Sequence, residues 1–276
     1  MSIAASAMIA ANASAIVVQD YTAAETAPNG LDWSHVHNYK GSSAVAVGGS
    51  WILTAGHVAD DGGSGSLSID GYTYTQQEIV YHASGDLALV RYDMPLPGYY
   101  ALYSWDLVGI QVLLAGFGDI GAVSTSYWTM GGSGRGTKRW GSQVINRTRI
   151  HYYHAGGSVG FTQNYGFWMD FDLGNTSHEA GTATGDSGSG VFYNDGGAWK
   201  LAGINTAVSG SGGQYDSTFA ISIPYYHSWI VDTVTAIGSD DADGDGLTNE
   251  EEEALGTDPL SGDTDNDLIS DPLELD

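Results

Sequence analysis

Between residues 16 and 224, apolar positions come in short runs broken by Gly, Asn, Asp and Ser. The run 43–58, SAVAVGGSWILTAGHV, predicts a strand, a turn, a second strand and then a helical turn. DLALVRYD at 86–93, VGIQVLLAGFG at 108–118, GVFYN at 190–194, WKLAGINTAV at 199–208 and STFAISIP at 217–224 predict further strands. Helices do not alternate with these strands, so the pattern is all-β and not α/β. The first clear helix is predicted at 225–237, where Trp229, Ile230, Val234 and Ile237 recur at helical spacing. Composition changes abruptly after Gly238. The chain therefore divides into an N-terminal tail (1–15), a main domain (16–238) and an acidic tail (239–276).

The 276 residues, 42% hydrophobic, are enough for a sizeable core. Forty glycines, 17 tyrosines and 8 tryptophans suit strands joined by tight turns, the Tyr-rich stretches reading as strand faces. No apolar run is long enough to cross a bilayer as a helix. The formal charge of −25 is uneven, because 240–276 hold 15 of the 33 acidic residues and no Lys or Arg. That argues for a separate acidic module and against nucleic acid as a partner, since phosphates would be repelled. Five of the eight bases, Arg135, Lys138, Arg139, Arg147 and Arg149, cluster at 135–149 and read as a solvated loop and strand face. With no cysteine, disulfides and thiolate metal sites are excluded. The start, MSIAASAMIAANASA, ends in Ala13-Ser14-Ala15, a signal-peptidase pattern, but lacks a basic leader. It reads as a remnant or replaced signal, or else as a frayed tail. The expected location is secreted, cell-surface or periplasmic, in a bacterium.

Three stretches carry candidate chemistry. LTAGHV places His57 after an apolar strand, GDLALVR places Asp86 at the mouth of another, and GDSGSG holds Ser187. A serine hydroxyl needs an adjacent base to take its proton. That base needs an anion to hold its tautomer and stabilise its cationic form. The stretch around Ser187 is dense in glycine, which weakens any strand or helix and so calls for a reason. An esterase elbow G-x-S-x-G does not fit, because position 189 is Ser and that class runs Ser…Asp…His. His35 with His37, and His151 with His154, are pairs more often structural than metal-binding, and they stay unassigned.

The order His57…Asp86…Ser187, with these flanks, resembles the trypsin/chymotrypsin family of serine peptidases across residues 16–237. The resemblance implies two antiparallel β-barrels with a C-terminal helix, peptide or protein substrates, and no cofactor for catalysis. It implies that the amides of Gly185 and Ser187 form the oxyanion hole, which would account for the glycines. It implies that Asp186 pairs with a newly freed N-terminal ammonium. Ile16 after Ala15 is the matching position, although Val18-Gln19 departs from the usual glycine pair. Gly181 falls at the base of the primary specificity pocket, with Val208 and Thr218 on its walls, which implies cleavage after small aliphatic residues such as Ala or Val. Thr206-Ala207-Val208 would pair with the substrate backbone as an added strand. The rival reading is a catalytically idle protease fold used for calcium-dependent binding or adhesion.

In the tail, DADGDGLTNEEE at 241–252 fits the loop D-x-D-x-D-G-x5-E. Asp241, Asp243 and Asp245 supply carboxylates, Gly246 the turn, Leu247 a carbonyl, Asn249 a water-mediated contact and Glu252 a bidentate closure. Calcium suits such an all-oxygen set. A second copy begins 22 residues on with Asp263, Asp265 and Asp267, but Leu268 replaces the glycine, and Asp271 and Glu274 are its closing candidates. The segment resembles thrombospondin type 3-like repeats of bacterial secreted proteins. The other reading is a disordered acidic tail, which so many uncompensated carboxylates would favour without calcium.

Overall fold

The computed structural model describes residues 16–28, 30–132, 134–235, 241, 243, 245, 247–265 and 269–274. Expectations for 1–15, for the 238–240 boundary, for Gly246 and for Asp267 lie outside these residues. The strands are β1 Val17–Val18, β2 Val36–Tyr39, β3 Ser42–Gly48, β4 Trp51–Thr54, β5 Leu67–Ile69, β6 Tyr72–Tyr74, β7 Gln76–Tyr81, β8 Ala88–Tyr92 and β9 Gln111–Gly116. They continue with β10 Gly121–Val123, β11 Trp128–Met130, β12 Arg139–Val144, β13 Arg147–Gly156, β14 Gly160–Asp170, β15 Ala180–Gly181, β16 Gly190–Asp195, β17 Ala198–Ser211 and β18 Gln214–Ser222. The helices are α1 Tyr21–Ala24, α2 Gly56–Asp60, α3 Ile223–Thr235, α4 Asn249–Leu255 and α5 Asp271–Glu274.

The chain builds two antiparallel halves, as an all-β chymotrypsin-like fold does. A five-stranded sheet in the order β2-β3-β4-β8-β7 forms the first. A nine-stranded sheet, with β14 joining β18 and β13 joining β14, forms the second. The central strands β3, β4, β8 and β9 are largely buried on both faces, and alternation splits each one between two cores. Val45, Val47, Leu53, Leu87 and Leu89 point into a core shared between the halves, where they meet Leu113, Phe192, Ile204, Phe219 and the helix residues Ile223, Tyr226 and Ile230. Ala44, Ala46, Ile52, Ala88 and Val90 fill the first half, and Val112, Leu114, Phe167, Met169 and Val191 fill the second. Helix α3 is the helix that the periodicity of 225–237 predicts, starting two residues earlier than expected, with Ile237 outside the described residues.

Contrary to the expectation from sequence, the basic cluster at 135–149 is not solvated throughout. Arg139 is not solvated: it is fully buried, paired with Glu25 and stacked over the Tyr21 ring. Lys138 lies between the Trp33 and Phe117 rings and donates to the Trp33 carbonyl. Burial lowers its pKa to about 8. The cause is β12, which pairs along β9 and so carries its charges into the interior edge of the second half.

The tail docks on the domain. Leu260 packs against the shared core, and the Asn249 Nδ2 donates to the Thr235 carbonyl at 3.5 Å, at the end of α3. Helix α4 is started by a reciprocal capping box between Thr248 and Glu251 and ended by Gly256 at φ +83°.

Candidate active site

Helix α2 begins where β4 leaves the first sheet, and it carries His57 half-exposed at the seam between the halves. The His57 Nδ1 lies 2.7 Å from Asp86 Oδ2, and the His57 amide donates to Asp86 Oδ1 at 2.8 Å. Asp86 therefore grips both the ring and the backbone of one residue. Gly56 makes this approach possible, because a Cβ there would stand 3.1 Å from Asp86 Oδ1 and 3.2 Å from the Leu87 amide nitrogen. Asp86 is fully buried, and its own amide donates to Asn164 Oδ1 at 2.7 Å. Burial pulls the imidazole pKa down, but the hydrogen bond and charge of Asp86 outweigh it, so His57 titrates above its ordinary 6.5.

Sequence reasoning missed Tyr153. Its hydroxyl, reaching in from β13, donates to Asp86 Oδ2 at 2.8 Å. Burial and the neighbouring Asp86 charge raise the pKa of the phenol, so it stays a donor. The only signal in the sequence is an aromatic run, IHYYH, which does not say what it faces.

Ser187 sits half-exposed between β15 and β16. The Ser43 amide donates to its carbonyl at 3.1 Å, Ser43 Oγ donates to the Gly185 carbonyl at 3.0 Å, and Thr54 Oγ1 donates to the Ser43 carbonyl at 2.8 Å. Thr54 lies three residues before His57, so these ties bring the serine loop to the imidazole's end of β4. Gly188 is required at that crossing. Its φ is +83°, and a Cβ would fall 2.0 Å from the Ser43 carbonyl oxygen. Among the described residues the Ser187 hydroxyl makes no hydrogen bond, to His57 or elsewhere; such contacts commonly tighten only when substrate binds. The Gly185 and Ser187 amides likewise donate to no protein group. Two backbone donors are thus left open beside one hydroxyl.

Asp186 points the other way, into the protein, fully buried. It accepts from the Gly118 amide at 2.8 Å and the Ala183 amide at 2.9 Å, and also from the main-chain nitrogen of Ile16. Burial pushes its carboxyl up to about 7 against the pull of those amides. Ile16 is itself fully buried and held at φ +51°.

The other positions expected at a substrate pocket lie on β15, β17 and β18. Val208 stands opposite Thr218 in the β17–β18 ladder, and Thr218 Oγ1 is 3.2 Å from Thr182 Oγ1. Gly181 pairs with Val17. Beyond Ile204, β17 loses its partner β16 while keeping β18, so Thr206, Ala207 and Val208 border an edge paired on one side only.

In the tail, Asp241, Asp243 and Asp245 each offer an oxygen within 4.8 Å of the others'. Asp243 Oδ2, Asp245 Oδ2 and both oxygens of the fully buried Glu252 have no hydrogen-bond partner. Burial and the carboxylates of Asp243, Asp245, Asp271 and Asp241 raise Glu252 to about 8. This crowd of orphaned buried oxygens fits a hard cation. Leu247 donates its amide to Asp245 Oδ1. Asp271 lies near enough to act on Asp245 and Glu252, but its own oxygens accept from Thr264. Glu274 is exposed, and Asp263 and Asp265 lie on the neighbouring loop.

A buried carboxylate holding an imidazole at the seam of two antiparallel halves, with a glycine-flanked serine brought alongside, makes this a serine-protease fold. The family model "Trypsin" matches residues 22–230, and the chain belongs to that family. The model "Bacterial TSP3 repeat" matches 241–262. Among solved structures, the chain is similar to the active form of the Rv3671c protease from M. tuberculosis, with 12% identity, 68% of this chain and 70% of that one covered, and a TM-score of 0.50. It is also similar to the inactive form of a serine-to-alanine mutant of Rv3671c from M. tuberculosis H37Rv, with 12% identity, 69% and 80% covered, and a TM-score of 0.50. At these identities the likeness is one of fold. No curated protein matches the chain in sequence.

Proposed function

We propose that the protein is a secreted serine endopeptidase whose triad is His57, Asp86 and Ser187. The observation that carries this reading is the 2.7 Å His57–Asp86 contact, beside a serine flanked by two unused amides. With Nδ1 committed to Asp86, Nε2 is free to take the Ser187 proton as Oγ attacks the scissile carbonyl carbon. The carbonyl oxygen becomes an oxyanion and accepts from the Gly185 and Ser187 amides. His57 then hands its proton to the leaving amine, an acyl-serine remains, and water activated by the same imidazole hydrolyses it.

The side chains of Val208 and Thr218 favour small aliphatic residues before the cut, and the open side of Thr206-Ala207-Val208 would receive the substrate backbone as a strand. Cleavage between Ala15 and Ile16 would turn the nitrogen already at Asp186 into an ammonium. Calcium would be held by Asp241, Asp243, Asp245, the Leu247 carbonyl and Glu252, with Asn249 acting through water. Asp263, Asp265, Asp267, Asp271 and Glu274 would serve a second, glycine-less loop. Its role is structural, and export to a calcium-rich exterior suits it.

Labelling with a fluorophosphonate tests the core reading. Wild type should be labelled and Ser187→Ala should not. An unlabelled, folded wild type would leave the idle-fold alternative standing.

A further inference from the structure

The volume in front of Gly181 is already occupied. A Cβ built on Gly181 would fall 2.2, 2.4 and 2.7 Å from Cδ2, Cε2 and Cε3 of Trp128, so the fused edge of the indole lies directly against this glycine. Trp128 is fully buried. Its Nε1 donates to the Thr182 carbonyl at 2.9 Å. The ring packs against Phe171 and Tyr215, with centroids 5.5 and 6.0 Å away. Val17 and Ala183 complete the cluster, and Val208 leans on it. The backbone under the ring is pinned from both sides, since Trp128 stands opposite Val123 in β10 and Tyr215 in β18.

We infer that Trp128 is the residue that sets the depth of the primary specificity pocket. This rests on the peptidase reading above, with Gly181 at the pocket base, and it adds a determinant that neither Val208 nor Thr218 supplies. The stopper comes from the separate hairpin β10–β11. It is a rigid bicyclic ring with its one polar atom satisfied, in a place where a long substrate side chain would otherwise run. The Thr182–Thr218 hydroxyl contact closes the same space from the adjoining strands. A site made this shallow would suit a methyl or isopropyl group. Glycine at 181 is then needed because any side chain would collide with the indole.

The test uses the full chain and peptides that differ only in the residue before the cut, Ala, Val, Leu or Phe, with active enzyme counted by fluorophosphonate labelling. Wild type should turn over Ala and Val peptides at least about tenfold faster than Phe, the scale on which apolar pockets discriminate. Trp128→Ala should shift the Phe-to-Ala ratio of kcat/KM upward by about tenfold or more. Because removal of a buried indole also costs packing, Trp128→Leu is the companion variant and should shift the ratio toward Leu and Phe. A labelled variant whose ratio stays within about twofold of wild type overturns the inference, as does a wild type that prefers Phe. If neither variant labels while wild type does, Trp128 serves assembly and not selection, and the inference also falls. An unlabelled wild type instead removes the peptidase reading beneath it.

Discussion

Tyr153 and His57 share one oxygen: the phenol donates to Asp86 Oδ2 at 2.8 Å, and the imidazole Nδ1 meets the same atom at 2.7 Å. The carboxylate charge is therefore divided between a neutral donor that never ionises in the working range and a ring that gains and loses a proton in the proposed mechanism. Removing the phenol hydroxyl leaves more of that charge to the imidazolium. Tyr153→Phe should raise the acidic limb of the kcat/KM profile by roughly half a unit to one unit, with a threefold to tenfold loss near pH 6.5 and little change above pH 9. A uniform loss at every pH would mean that the tyrosine only packs.

The base must be unprotonated to act. Because Asp86 raises the His57 pKa above 6.5, activity should climb with pH through a midpoint on the alkaline side of 6.5. Asp86→Asn should lower turnover by about four orders of magnitude, and Ser187→Ala by about six. Both are read as initial rates on a small-residue peptide.

The proposed cleavage before Ile16 would be coupled to stability through Asp186. Its folded-state carboxyl sits near 7, above the 3.8 of a free aspartate, so the folded chain binds the extra proton between these values. With the Ile16 amide intact, this group's contribution is greatest below pH 4 and is lost as pH rises to 7. Asp186→Asn should flatten that part of the profile, seen as a smaller fall in urea midpoint between pH 4 and 7. In chain beginning at Ile16, the ammonium should hold Asp186 ionised, and the same substitution should then destabilise at pH 7. Equal behaviour in the two chains would disconnect Ile16 from Asp186.

Calcium should stabilise the whole molecule and not only the tail, since Leu260 packs in the shared core and burial together with the Asp243 charge raises the pKa of Tyr99, a residue of the main domain. At a hundredfold excess over Kd the gain is about 2.7 kcal/mol. EDTA should lower Tm in wild type. Glu252→Gln should abolish most of that difference, because it removes the buried carboxylate that faces the Asp243 and Asp245 oxygens.

The residues of the proposed triad stood out because each travels with its local frame: Thr54 and Gly56 before His57, Leu87 after Asp86, Gly185 and Gly188 around Ser187. Gly56, Gly185 and Gly188 stand where a Cβ would meet a neighbour closely, and Thr54 holds the Ser43 carbonyl, so short motifs carried long-range information. The strands flanking them were legible for a related reason, since residues buried on both faces leave unbroken apolar runs. Tyr153 and Trp128 were not legible. Both sit on hairpins whose sequence looks like any exposed polar ribbon, and their partners lie 67 and 54 residues away in sequence. Arg139 misled for the same reason, because its burial is decided by Glu25, 114 residues distant. Asp271 looked like the closure of a second loop, yet it also faces the carboxylates of the first.

Ser43 uses every polar group it has on one junction: its amide and hydroxyl hold the loop of Ser187, its carbonyl holds Thr54, and the hydroxyl also receives the Phe117 amide. A single small residue thus rivets the two sheets together at the reaction centre. Any slip of one sheet past the other should reach the proposed nucleophile before it disturbs the hydrophobic interior. On warming, turnover should therefore vanish at a lower temperature than ellipticity, making the enzyme a gauge of its own alignment.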